Sequence, residues 1–171
     1  HSALHHECEL MLAEFTGRDR ALLFSTGYMA NLAVTSGLMR RKDVIFQDKL
    51  NHASLIDAAK LSDAKFVRYR HNDHDQLSRL LEQHQGSSIR RLIMADAVFS
   101  MDGDYADVTE LSSLAQKSQS WLMLDDAHGI GVLGDTGAGI CEMNKLSQSD
   151  VPVLMSTLGK AVGVSGAFIA G

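Results

Sequence analysis

Apolar positions recur along this chain in two alternating patterns. Leu4, Cys8, Met11, Leu12 and Phe15 fall at helical spacing with Gly17 as a stop signal, which predicts an opening helix with those residues on its inner face. Seven short apolar runs follow: 21–24, 43–46, 65–69, 91–94, 121–124, 153–155 and 167–169. Stretches near 28–39, 53–61, 74–84 and 108–118 separate them and predict helices. Strands divided by helices of about 10–15 residues argue for βαβ units. The expected fold is α/β: three layers, with a mostly parallel sheet between helices on both faces.

Ligands bind such sheets beyond the carboxyl ends of the strands. The residues just after each apolar run are Ser25-Thr-Gly-Tyr28, Asn51-His52, Phe99-Ser-Met-Asp-Gly103, Asp125-Asp-Ala-His128 and Ser156-Thr-Leu-Gly-Lys160. Together they bring a lysine, two histidines, carboxylates, hydroxyls and a glycine turn to one edge. Taken singly, each has a plain structural explanation. Asp-x-x-His after a strand is commonly a turn or a cap, Thr-Gly a turn before a helix, and a lysine is usually solvated. The combination and its order carry the argument.

Composition removes several classes of function. The 171 residues are 45% apolar and 22% charged, as in an ordinary globular domain. The net charge is −5 and the 16 basic residues are dispersed, so there is no footprint for nucleic acid. Cys8 and Cys141 lack CxxC spacing and read as reduced thiols, which implies a cytoplasmic protein. No apolar run reaches the roughly 18 residues of a membrane span. The chain opens at His1 within a helical pattern and stops after a strand. It is therefore expected to be one domain, residues 1–171, of a longer protein.

Local look-alikes fail on context. Gly129-Ile-Gly-Val-Leu-Gly134 matches the dinucleotide fingerprint, but Asp125-Asp-Ala-His128 intervenes after the strand, and Asp135-Thr-Gly-Ala-Gly139 is too glycine-rich to begin a helix. Gly159-Lys160 is no P-loop, because Leu154 stands where the leading glycine belongs. His71-Asn-Asp-His74-Asp75 could suggest a metal, but an Asn/Asp cap opening the next helix explains it better. No GxSxG elbow is present. No metal is expected.

The motifs Asn51-His-Ala-Ser-Leu55, Arg70-His-Asn-Asp73, Val98–Asp104, Leu124–Gly134 and Thr157-Leu-Gly-Lys160 resemble those of the α-oxoamine synthases. These are pyridoxal 5′-phosphate (PLP) enzymes of the aspartate-aminotransferase-like fold, fold type I. The resemblance runs along essentially the whole chain. It implies that Lys160 carries the cofactor as an imine and that Asp125 pairs with the pyridine nitrogen. His128 and Ser100 would contact the 3′-oxygen, while His52 stacks on the ring. Thr26, Gly27, Tyr28 and Thr157 would serve the phosphate. Catalysis would fall to Lys160, His52 and Asp125, with Asp126 structural.

The same resemblance implies a homodimer, an antiparallel last strand near 166–170, and decarboxylative condensation of L-alanine with a pimeloyl thioester in biotin biosynthesis. Glycine-using relatives show His-Ala-Val-Gly where this chain has His128-Gly-Ile-Gly131, a departure at Gly129 and Ile130. The alternatives are a sister synthase of the 2-amino-3-ketobutyrate CoA ligase, 5-aminolevulinate synthase or serine palmitoyltransferase type, or a non-catalytic homologue.

Overall fold

The computed structural model of the chain describes residues 1–86 and 88–171. Its elements run α1 (Ala3–Phe15), β1 (Ala21–Phe24), α2 (Gly27–Leu38), β2 (Val44–Asp48), α3 (Ala53–Leu61), β3 (Lys65–Tyr69) and α4 (His74–Gln83). They continue with β4 (Arg91–Asp96), α5 (Val108–Lys117), β5 (Trp121–Asp125), α6 (Ile140–Met143), β6 (Val153–Thr157) and β7 (Ala167–Ala170). Every apolar run becomes a strand. Three strands reach two residues past the runs, to Asp48, Asp96 and Thr157.

The strands form one sheet in the order β1-β7-β6-β5-β4-β2-β3. β2 to β6 are parallel, and β7 runs antiparallel to both β6 and β1, as expected for the last strand. Alternation along each strand sorts side chains between the faces. Phe46, Ile93, Leu122, Leu124 and Leu154 pack on one side with Leu77 and Leu81 of α4 and Leu111 of α5. Ile45, Leu92, Met94, Met123 and Met155 pack on the other with Ala30 of α2 and Leu55 and Ala59 of α3. The core is thus a three-layer sandwich in which the inner parallel strands β2, β4 and β5 are buried on both faces except at Trp121, while the edge strand β3 is partly exposed.

Two expectations need correction. α1 forms and ends at Gly17 (φ +64°), where Gly17 and Arg18 N–H close back on the carbonyls of Glu14 and Ala13. Its face is not the expected one. Leu4, Met11 and Phe15 are exposed, whereas Glu9 and Ala13 are buried. The cause is the edge strand. Glu9 Oε1 accepts the Leu23 N–H (3.0 Å), satisfying an edge group, so that Glu9 and Ala13 face inward with Leu12 beside them while Leu4, Met11 and Phe15 stay outside. The second correction is α6, which starts directly after the glycine-rich segment because Asp126 Oδ2 accepts the Ile140 N–H (2.7 Å). Otherwise the segment 127–139 is turns, bends and irregular loop, and Gly134 does not lead straight into a helix, so the dinucleotide fingerprint fails on its context. At the supposed metal motif, Asp73 caps α4 by accepting the Gln76 N–H (2.8 Å), and no metal-ligand cluster occurs among the described residues.

Candidate active site

A cavity of about 200 Å³ opens at the carboxyl ends of β4, β5 and β6. Strand pleating decides which polar residues enter it. Asp125 continues the Met123 side of β5, toward α2 and α3, and lines the cavity. Its neighbour Asp126 is turned to the opposite face, where it caps α6. Asp96 alternates with Leu92 and Met94 and lies in register with Asp125 on the adjacent strand, so it enters the cavity too.

Asp125 is held by a network that no motif announces. Asn31 Nδ2, on the buried face of α2, donates to Asp125 Oδ2 (2.9 Å) and to Ser54 Oγ (2.8 Å), and Ala127 N–H donates to Asp125 Oδ1 (3.1 Å). Ser54 Oγ lies 2.7 Å from His52 Nδ1, which also accepts the Ser54 N–H (3.2 Å). His52 is thereby the N-cap of α3, fixed over the cavity, and its own N–H donates to Asp96 Oδ2 (2.9 Å). Burial raises the Asp125 carboxyl above its usual range, opposed by the Asn31 and Ala127 hydrogen bonds and by His52 and Lys160. Burial and the neighbouring Asp125 push Asp96 up to about 8. Two adjacent buried carboxyls resist ionising together. On the far face, burial pushes Asp126 up to about 7.

Across the cavity, Lys160 Nζ on the loop after β6 donates to His128 Nε2 (2.8 Å). Burial and then the Lys160 charge lower the His128 pKa, which keeps its ring neutral and able to accept that bond. Ser100 lines the cavity from the loop after β4. Thr157 also lines it, its hydroxyl donating to the Gly166 carbonyl (3.0 Å) and accepting the Gly159 N–H (3.2 Å). Gly27 and Tyr28 line it at the start of α2, where their N–H groups have no partner among the described residues. Thr26 stands apart: it does not line the cavity, and its hydroxyl caps α2 through the Met29 N–H (3.2 Å).

Eight of the nine expected site residues therefore meet at one cavity. Asn31, Ser54 and Asp96 belong to the same cluster but were not expected there. Asp96 carried a readable signal, the first polar residue past the run 91–94 in the alternation of Leu92 and Met94. Asn31 and Ser54 carried none, since only packing brings α2 and α3 together. Chemically, the cavity joins an amine against a neutral imidazole, a buried carboxylate facing inward, and unpaired N–H groups at a helix start.

The family described as aminotransferase class I and II matches residues 1–171. The chain belongs to that family. It is 56% identical over all 171 residues to 8-amino-7-oxononanoate synthase of Saccharophagus degradans and 57% identical to that of Alkalilimnicola ehrlichii. It spans 43% of the length of each of these relatives. Among solved structures, a serine palmitoyltransferase of Sphingomonas wittichii superposes with a TM-score of 0.93 at 36% identity, covering 99% of this chain and 42% of that one. 8-Amino-7-oxononanoate synthase of Francisella tularensis superposes with a TM-score of 0.85 at 37% identity, covering 99% and 48%. The same sheet thus serves differently named synthases and transferases.

Proposed function

We propose that this chain is the cofactor-binding domain of a PLP-dependent 8-amino-7-oxononanoate synthase, which condenses L-alanine with a pimeloyl thioester and releases CO2 and the free thiol. The convergence of Lys160, His128 and Asp125 on one cavity carries this reading, in a chain 56–57% identical along its whole length to proteins of that name. The residues fit PLP on structural grounds. The unpaired Gly27 and Tyr28 N–H groups at a helix start suit a phosphate. Asp125, buried and oriented by Asn31, suits a protonated ring nitrogen. Among the described residues, Lys160 offers the only lysine amine on the cavity wall.

PLP, when bound, supplies an aldehyde that condenses with amines and a ring that accepts electrons. The protein's residues supply the rest. Asp125 would keep a proton at the ring nitrogen, and Asn31 with Ala127 holds the carboxylate in place for that task. Lys160 Nζ takes the Cα proton of alanine, and neutral His128 beside it can accept a hydrogen bond or proton in turn. His52, braced by Ser54 and Asp96, would cover the ring and Ser100 would face its 3′-oxygen, while Thr157 would donate to the phosphate only on releasing its bond to the Gly166 carbonyl. The longer protein is proposed to be a cytoplasmic homodimer. No helix among the described residues is long and apolar enough to cross a membrane.

Serine palmitoyltransferase activity is the second reading, because those structures superpose with TM-scores up to 0.94. Their identity to this chain, 32% and 36% for two of them, falls well below the 56–57% of the synthases. Backbone likeness reports the shared fold, whereas side-chain identity follows the substrate. The test assays the full-length protein with alanine plus a pimeloyl thioester and, separately, with serine plus a palmitoyl thioester. Turnover is expected only in the first mixture and should vanish in Lys160→Ala. Borohydride should fix a pyridoxyl group on the wild type and none on that variant. Turnover confined to serine would reject the proposal.

A further inference from the structure

The Arg70–Asp73 segment is only half explained as a helix cap. Asp73 does the capping, but His71 faces the other way. Its Nδ1 lies 3.1 Å from Asp48 Oδ1 and its Nε2 lies 2.7 Å from Asp104 Oδ2. Its ring meets Phe99 edge-on, with centroids 4.5 Å apart. Asp48 already accepts the Leu50 and Asn72 N–H groups (both 2.8 Å), and Asp104 Oδ2 accepts Asn72 Nδ2 (3.2 Å), so both carboxylates act as acceptors. A ring whose two nitrogens both face acceptors must donate from both, which makes it an imidazolium.

The two carboxylates anchor different loops. Asp48 ends β2, and the turn it orders leads into Asn51 and His52. Asp104 closes the loop after β4 through Phe99 N–H to its carbonyl (2.9 Å), with Ser100 inside that loop. We propose that His71 is a positioning residue, an imidazolium strap between Asp48 and Asp104 that holds the Ser100 loop at a set distance from the His52 loop. The role rests on the reading of the cavity between them as the PLP site. Burial lowers the His71 pKa, but the hydrogen bonds to Asp104 and Asp48 and their charges outweigh it, so the net shift is upward. The strap's stabilisation is then complete below the unfolded histidine value of about 6.5 and is lost as pH rises through the higher folded value. The charged groups facing the ring are Asp48 from β2 and Asp104 from the β4–α5 loop; Tyr69 of β3 is buried beside Asp48 and raised far above its usual range by burial and by that charge.

The test uses the full-length protein freed of cofactor. Wild type, His71→Gln, Ser100→Ala and the double variant are titrated with PLP at pH 6.5. His71→Gln should raise the Kd about tenfold, and the double variant should bind no worse than the weaker single one, the signature of residues acting together. Asp104→Ala removes the acceptor at the strap's more exposed end and should reproduce the loss even if His71→Gln folds poorly. In parallel, the thermal midpoints of wild type and His71→Gln should differ most at pH 6 and converge toward pH 9. Additive PLP losses or a pH-independent gap in midpoint would overturn the positioning role. Wild type that does not bind PLP at all would instead overturn the cofactor reading, and the positioning role with it.

Discussion

Asp125 and Asp126 are neighbours in sequence, yet strand geometry gives them separate tasks. The pleat turns Asp125 to the cavity, where Asn31 and Ala127 donate to it, and turns Asp126 to the first turn of α6. Asp125→Asn keeps the shape but removes the charge proposed to hold a proton at the ring nitrogen. In the full-length protein, exchange of the alanine Cα proton in deuterated buffer should slow by about 10²–10⁴-fold, while covalent capture of PLP by Lys160 persists. Normal exchange in that variant would remove Asp125 from the chemistry. Asp125 and His128 are legible in the sequence only through the combination of polar sets that follow the strands. Asp96 escapes it because the apolar run closes at Met94, two residues short of where pairing with β5 ends.

Apolar periodicity locates the strands and five helices, because each must bury one face or both. It misjudges which face α1 buries. The helix sits against the edge strand β1, and an edge strand needs a partner for its N–H as much as apolar cover, so Glu9 is turned inward. The glycine-rich segment before α6 is misjudged for a related reason. Gly129 and Gly139 are there to admit Asp126: a Cβ on either would lie 2.0 Å from one of its carboxylate oxygens. Asp126 cannot swing away without releasing α6. Gly129→Ala is therefore expected to destabilise the chain by about 1–3 kcal/mol in urea titrations. Gly37→Ala, on α2 with nothing within 4 Å of the added carbon, should be neutral or slightly stabilising. Equal effects of the two changes would refute the close-approach argument.

For the molecule as a whole, the exposure of α1 has a consequence. Leu4 (76% exposed), Met11 (65%), Leu22 (53%) and Phe15 (41%) leave apolar surface facing solvent on the α1–β1 side. Contiguous apolar surface promotes association. The isolated 171-residue chain should self-associate at micromolar concentration in light scattering, and Leu4→Lys with Met11→Lys should reduce this. A monodisperse monomer before those changes would contradict it. Burial period and turn chemistry are local properties. The amino-acid order therefore suffices for the strands and the five longer helices along the chain, the class of sheet they build, and the residues placed just beyond the strand ends. Which side of each strand end faces the cavity is settled by packing instead. Packing also joins Asn31 and Ser54 to Asp125 and suspends His71 between two loops, because each of those contacts links residues that are distant in the chain and become neighbours only when the sheet closes.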